Sequence, residues 1–229
     1  MVRTVNEQEY ASRRNAILDA TSKLLLSRGY ELMTIMDVVE ELQISKGAFY
    51  HYFDSKQAAF SALLERMGQE LDQHLLPVVE DPALPALEKL QSFFDALAGW
   101  KQERLSVLLA VTRVWYSDEN ALVRSHLRRE RRKRLAPLLA AIIREGCLTG
   151  IFQAEEPLET GEVLVSLMLD LGDALAEVLL RVSPGEEMVQ RLERTLGAYT
   201  QTLLRALEVP SGSLQLVDPK LIRQWHLEA

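Results

Sequence analysis

The 229-residue chain has one cysteine, Cys147, so no disulfide can close within it and a reducing, cytoplasmic setting is expected. No apolar run reaches the roughly 18 residues that span a bilayer. The longest, 135–143, is far shorter, and 163–180 is interrupted by Asp170, Asp173 and Glu177. The first ten residues, MVRTVNEQEY, are polar and hold no signal-peptide core. Positive charge is also short: 26 Lys and Arg stand against 33 Asp and Glu, a net of −7. That argues against a nonspecific polyanion binder, so any nucleic-acid reading must rest on placed residues. The four histidines show no metal-ligand spacing. No nucleophile–base set, phosphate-cradling glycine loop or carboxylate pair is found, so no catalytic residue, cofactor or metal is expected.

Strand-type alternation is missing as well, and helical periodicity fills most of the chain. Ile17, Thr21 and Leu24 make the stripe of a first helix over 13–28, and Gly29 follows where a left-handed cap is wanted. Thr34 caps a second helix ending near Leu42, with Asp37 completing a capping-box pair. Ser45 caps a third, and a fourth runs from 56 to 75. Pro77, Pro82 and Pro85 place a boundary at 76–85. Five longer helices are expected beyond it, over 86–101, 103–117, 119–148, 160–182 and 184–207. Pro137 should kink or split the third of these, and Ser183 should cap the last. After the link VPSGS, Asp218 can start a short helix carrying Leu221, Ile222 and Trp225. The domains expected are 1–75, 76–208 and a tail, 209–229.

The second and third helices, joined by Gln43 to Ser45, have the helix-turn-helix arrangement. On a wheel at about 100° per residue, Phe49, Tyr52 and Phe53 cluster on one side, and Gly47, Ala48, Tyr50 and His51 face away, with Lys46 on the flank. The outward face suits DNA. Gly47 and Ala48 let the backbone come close to base edges, Ala48 can meet a thymine methyl, and Lys46 can reach a guanine or a phosphate. Thr34, Tyr50, His51 and Lys56 are phosphate-contact types, and Met36 and Ser45 complete the candidate set.

The segment RRNAILDATSKLLLSRGYELMTIMDVVEELQISKGAFYHYFDSKQAAF resembles the N-terminal domain of the TetR family of bacterial transcriptional regulators. The likeness rests on Ile17, Ala20, Leu24, Gly29, Tyr30, Thr34, Val38, Ile44, Ser45, Lys46, Gly47, Tyr50, Tyr52, Phe53, Ser55 and Lys56. The chain departs from the pattern at Val39, usually Ala, and at Gln43, usually Gly. A positive φ at Gln43 would cost about 1 kcal/mol. Through Lys56, seven cationic side chains face eight acidic ones. Affinity for an operator must then come from a few aimed cations and from two copies acting together.

The resemblance implies an all-α protein: an N-terminal three-helix helix-turn-helix DNA-binding domain, then a C-terminal helical ligand-binding and dimerisation domain. It implies a homodimer on a double-stranded DNA operator, a ligand-responsive repressor, and no membrane. Helix 160–182 is apolar on two sides, which independently suggests pairing with a copy of itself. The interface candidates are Val165, Leu169, Gly172, Ala176 and Leu180 with Leu192, Leu196, Tyr199 and Leu203. A pocket for a small hydrophobic effector is sought among Phe93, Leu97, Trp100, Leu108, Thr112, Arg113, Trp115, Tyr116, Asn120 and Met168, all of which also read as ordinary core. Two rivals stand: a DNA-binding dimer without a small-molecule effector, governed by a protein partner or acting as an activator, and, remotely, an enzyme on a helical scaffold. Arg128 to Arg134 read as a solvated face rather than a second DNA contact, and the face of Asp170, Asp173 and Glu177 as solvated or Arg-paired.

Overall fold

The computed structural model describes residues 2–116, 120–218 and 220–222, without the side chains of residues 2–6 and Arg113. Among them the secondary structure is helical, with no strand. The helices are α1 (Val2–Leu32), α2 (Ile35–Leu42), α3 (Lys46–Tyr52), α4 (Lys56–Glu80), α5 (Ala86–Glu103), α6 (Leu105–Trp115), α7 (Ala121–Leu148), α8 (Pro157–Arg181) and α9 (Glu186–Ala206). Two compact units form, one from residues 1–69 and 106–123, the other from 70–105 and 124–229.

In the first unit α1 begins eleven residues before the expected Arg13 and bends at Gly29, whose φ of 74° only glycine adopts cheaply. Its core joins Leu25 of α1 and Phe60 of α4 to Val111 and Val114 of α6, with Tyr30 and Trp115 packed on the edge. Ile17, Leu18, Val38, Phe49 and Phe53 are buried beside α2 and α3. Sequence and packing agree here, because the apolar residues recur at helical spacing and each stripe has a partner to cover it.

The second unit is led by the α8–α9 pair, and Leu164, Val165, Leu192 and Leu203 are buried within the chain. Gly161 lets α8 lie close to α7, since a methyl there would stand 2.8 Å from the Ala136 carbonyl oxygen. Two proline and cap expectations, at Pro77 and Ser183, are corrected, and of the kink or split expected at Pro137 the split does not occur. α4 runs through Pro77 to Glu80, and α7 runs unbroken through Pro137. α9 starts at Glu186 after Gly185, without a side-chain cap, rather than from Ser183. The two proline-bearing helices are long, and their remaining hydrogen bonds and packing outweigh the one donor that proline removes. The charged run of α7 also differs from a solvated face. Arg128 pairs with Asp173, and Arg134 Nε lies 3.3 Å from Asp72.

After α9 the chain turns back, and Leu214, Leu216 and Ile222 are buried. The Gln215 amide donates to Gln91 Oε1 at 2.8 Å, and Gln91 Nε2 donates to the Gln215 carbonyl at 3.0 Å. The last turn begins at Asp218, whose carboxylate accepts from the Lys220 amide at 2.8 Å. Trp225 lies outside the described residues.

Candidate nucleic-acid interface

α3 is seven residues long and depends on its neighbours for order. Ser45 Oγ accepts from the Ala48 amide at 3.0 Å and caps it. Phe49 and Phe53 are 1% and 5% exposed and anchor its inner side. α2 carries the capping box: Thr34 Oγ1 accepts from the Asp37 amide at 3.2 Å, and Asp37 Oδ2 accepts from the Thr34 amide at 2.7 Å. These Thr34 contacts, with Arg28 beside them, hold the Asp37 carboxyl below its ordinary value. Between the helices Gln43 sits at φ 53°, ψ 40°. The left-handed turn is thus made by a residue with a side chain, and the chain closes through Ile44 N–H to the Val39 carbonyl at 3.1 Å.

With the anchors inside, the opposite side of α3 is left to solvent. Ser45, Lys46, Gly47, Tyr50 and His51 are exposed, Ala48 is half-buried, and Thr34 and Met36 are exposed at the start of α2. Tyr50 is 44% exposed, with Lys46 Nζ 5.9 Å from its ring centre. Lys56 is placed differently. Its ammonium donates to the Tyr30 carbonyl at 2.9 Å and the Met33 carbonyl at 3.2 Å, and lies 4.2 Å from the centre of the Tyr30 ring.

Tyr10 was not among the expected site residues, yet its ring lies 4.8 Å from Tyr52 and 5.8 Å from His51. Arg14 covers Phe53 at 5.0 Å. The early turns of α1 thereby brace the C-terminal half of α3. The signal was present in the sequence: Tyr10 and Arg14 extend the Ile17–Thr21 stripe backwards at steps of three and four.

Three comparisons agree with this head. Residues 17–63 match the model for bacterial regulatory proteins of the tetR family. The match covers the N-terminal head, which is that of the tetR family. With that head the chain is a DNA-binding transcriptional regulator. It is similar to the HTH-type transcriptional repressor DhaR of Mycobacterium sp. strain GP1, at 25% identity, over 85% of this chain and 90% of that one. It is also similar to the repressor NemR of Escherichia coli K12, at 32% identity over 33% of this chain and 38% of NemR. A tetR-family regulator from Pectobacterium atrosepticum has the same fold, with a TM-score of 0.66 at 19% identity, over 89% of this chain and 98% of that one. These relatives are regulators rather than enzymes. No helix among the described residues is long and apolar enough to cross a membrane.

The ten pocket candidates do not form one group. Leu97 and Met168 line a cavity in the second unit, and Phe93 is buried in that unit's core. Trp100 is also buried there, its Nε1–H without a partner among the described residues and its ring under Arg104 at 4.6 Å. Leu108, Thr112, Trp115, Tyr116 and Asn120 belong to the first unit. There Thr112 Oγ1 donates to the Leu108 carbonyl at 2.6 Å, and Asn120 is buried between Gln57 Nε2, 3.2 Å away, and the Val114 carbonyl, 3.1 Å away. The side chain of Arg113 lies outside the described residues.

Of the interface candidates, Val165, Leu192 and Leu203 are covered by their own chain, as are Ala176 and Leu196. Leu169 and Tyr199 are half-buried, and Leu180 is exposed. Gly172 lines the cavity. The α8 acids are paired: Asp170 with the Tyr199 hydroxyl, Asp173 with Arg128, Glu177 with Arg181 at 3.3 Å. The Asp170 contact pushes the Tyr199 hydroxyl up to about 12.

Proposed function

We propose that this regulator is a homodimeric repressor that holds a palindromic operator and leaves it when a small lipophilic effector binds. The observation that carries the DNA contact is the outer side of α3. Lys46, Gly47, Tyr50 and His51 are exposed, and Ala48 half-buried, on a helix whose inner side is fixed by two buried phenylalanines. A rigid scaffold presenting small and cationic residues can lie in a major groove, and two copies would reach successive grooves about 34–36 Å apart or a multiple of it. In this division of labour residues 1–75 read DNA, 76–208 hold effector and partner copy, and 209–229 form the tail.

The α8–α9 pair is the proposed twofold contact. What it leaves outside includes Val163, Leu180 and Ala198, and these are the side chains a second copy would cover. Charge at the head is close to neutral, so two linked heads are needed for useful affinity. Effector release follows if the ligand prefers a conformer in which the heads no longer fit the operator, and by reciprocity the operator then weakens ligand binding.

Selection of operator fragments from the organism's own genome, followed by binding with Lys46→Ala/Tyr50→Phe protein, tests the assignment. The double variant is expected to lose at least tenfold in affinity at unchanged thermal stability. Unchanged affinity would remove α3 from the interface.

A further inference from the structure

The second unit holds a small, partly open apolar cavity of about 40 Å3. Leu97 of α5, Met168, Leu171 and Leu175 of α8, and Leu216 of the C-terminal segment wall it. As it stands, it has room for roughly three waters, at about 10–15 Å3 each. Lys101, one turn beyond Leu97 on α5, opens onto it.

The charges around that lysine do not balance. No carboxylate among the described residues pairs with its ammonium. The nearest influence is a cation: burial first, then the Arg131 guanidinium, push Lys101 down to about 8. Arg131 is itself lowered by burial and answers to Asp72, which already carries Arg134 Nε at 3.3 Å. Lys101 thus opens onto an apolar space with a second cation as its charged neighbour, while the nearby Asp72 is engaged by Arg131 and Arg134. Lys101 is half-buried; a partly desolvated charge without a partner weighs against the folded state, and an acid group placed at Lys101 would offset it. The other acids of α8 do not serve, because Asp170 and Asp173 are bound to Tyr199 and Arg128 and Glu177 to Arg181.

The cover is also on the page. Leu216 and Val217 close one side of the cavity, and the segment that carries them is tied to α5 by the paired Gln91–Gln215 hydrogen bonds. Two exposed hydrogen bonds and a few buried side chains hold it, fewer contacts than a packed helix makes, so it opens before the helices do.

We infer that this cavity takes an amphipathic anion, its acid group at Lys101 and its apolar body between α5 and α8, admitted when the segment 209–218 lifts. The inference rests on the effector reading above and adds the ligand's chemical class. A neutral or cationic ligand of equal size would leave the lysine unmatched.

Calorimetric titration of the full chain with decanoate, decan-1-ol and decyltrimethylammonium, each below its micellar concentration, tests it. Decanoate is expected to bind at least tenfold tighter than decanol, and the cation more weakly than either. Lys101→Met should erase the preference for decanoate while leaving decanol binding within twofold. Lys101→Arg should keep the preference, which separates charge from folding effects. Gln91→Ala should speed decanoate association severalfold in stopped flow. Equal binding of acid and alcohol, indifference of decanoate to Lys101→Met, or binding of none of the three probes overturns the inference. The effector reading is scored apart, by operator release: decanoate bound through Lys101 that leaves the operator complex intact upholds the site and refutes release by ligand.

Discussion

Replacing Lys56 by methionine separates two roles that a sequence cannot distinguish. The ammonium makes two hydrogen bonds, to the Tyr30 and Met33 carbonyls at the end of α1, and rests over the Tyr30 ring. Hydrogen bonds from a charged donor are each worth about 1.5–3 kcal/mol when well shielded. Lys56 is only half-buried, so screening lowers that value and the pair is expected to contribute about 2–3 kcal/mol. Methionine keeps the apolar stem, so the loss isolates the ammonium. At about 2–4 °C per kcal/mol for a chain of this size, Tm should fall by roughly 5–10 °C. Calorimetry gives that number, and a salt titration of operator binding gives a second one. A phosphate contact would make the log–log salt slope shallower by about 0.9 per lysine. For a brace, the slope should stay unchanged while stability falls. Unchanged Tm together with a slope reduced by about one would refute the bracing role and make Lys56 a direct DNA contact.

Gln43→Gly should raise stability by about 0.5 kcal/mol in urea denaturation: relief of the left-handed strain, about 1 kcal/mol, is partly offset by the greater freedom of glycine in the unfolded chain. Gly161→Ala should cost about 1–3 kcal/mol by the same assay, because its methyl would meet the backbone of α7 rather than a movable side chain. Lys101→Met should be more stable than the parent at pH 7, and the gap should close by about pH 10.5. Below pH 8 the lysine is protonated in both states and the folded state bears the full burial cost; between about 8 and 10.5 the folded state gives up its proton first, so the parent gains stability as pH rises.

Much of the head was legible because its determinants are local. The capping box at Thr34, the Ser45 cap and the inward turn of Phe49 and Phe53 all follow from spacing within a few residues. The same local reasoning failed at Pro77, where a long helix absorbs a lost donor. It failed at Ser183 too, where Gly185 with φ 151° makes the entry instead. Long-range partners were the larger gap. Nothing near Lys56 in sequence points to Tyr30, and nothing near Gln91 points to Gln215, 124 residues on. Lys101 reads as a surface charge at the end of an amphipathic helix until α7 and α8 are folded against it. The pocket candidates scattered for the same reason: an aromatic stripe declares which side of a helix is covered, not which unit covers it.

The returning tail sets a practical limit on how the protein can be shortened. Leu214, Leu216 and Ile222 are 4%, 6% and 0% exposed, and each is worth about 1.5–3 kcal/mol as covered apolar surface. A chain stopped at residue 208 would bare the seats of Leu214 and Ile222 along α9, around Leu196 and Gly197, and that of Leu216 beside α5 and α8. Such a fragment should be prone to precipitate, and a purification tag belongs at the other end.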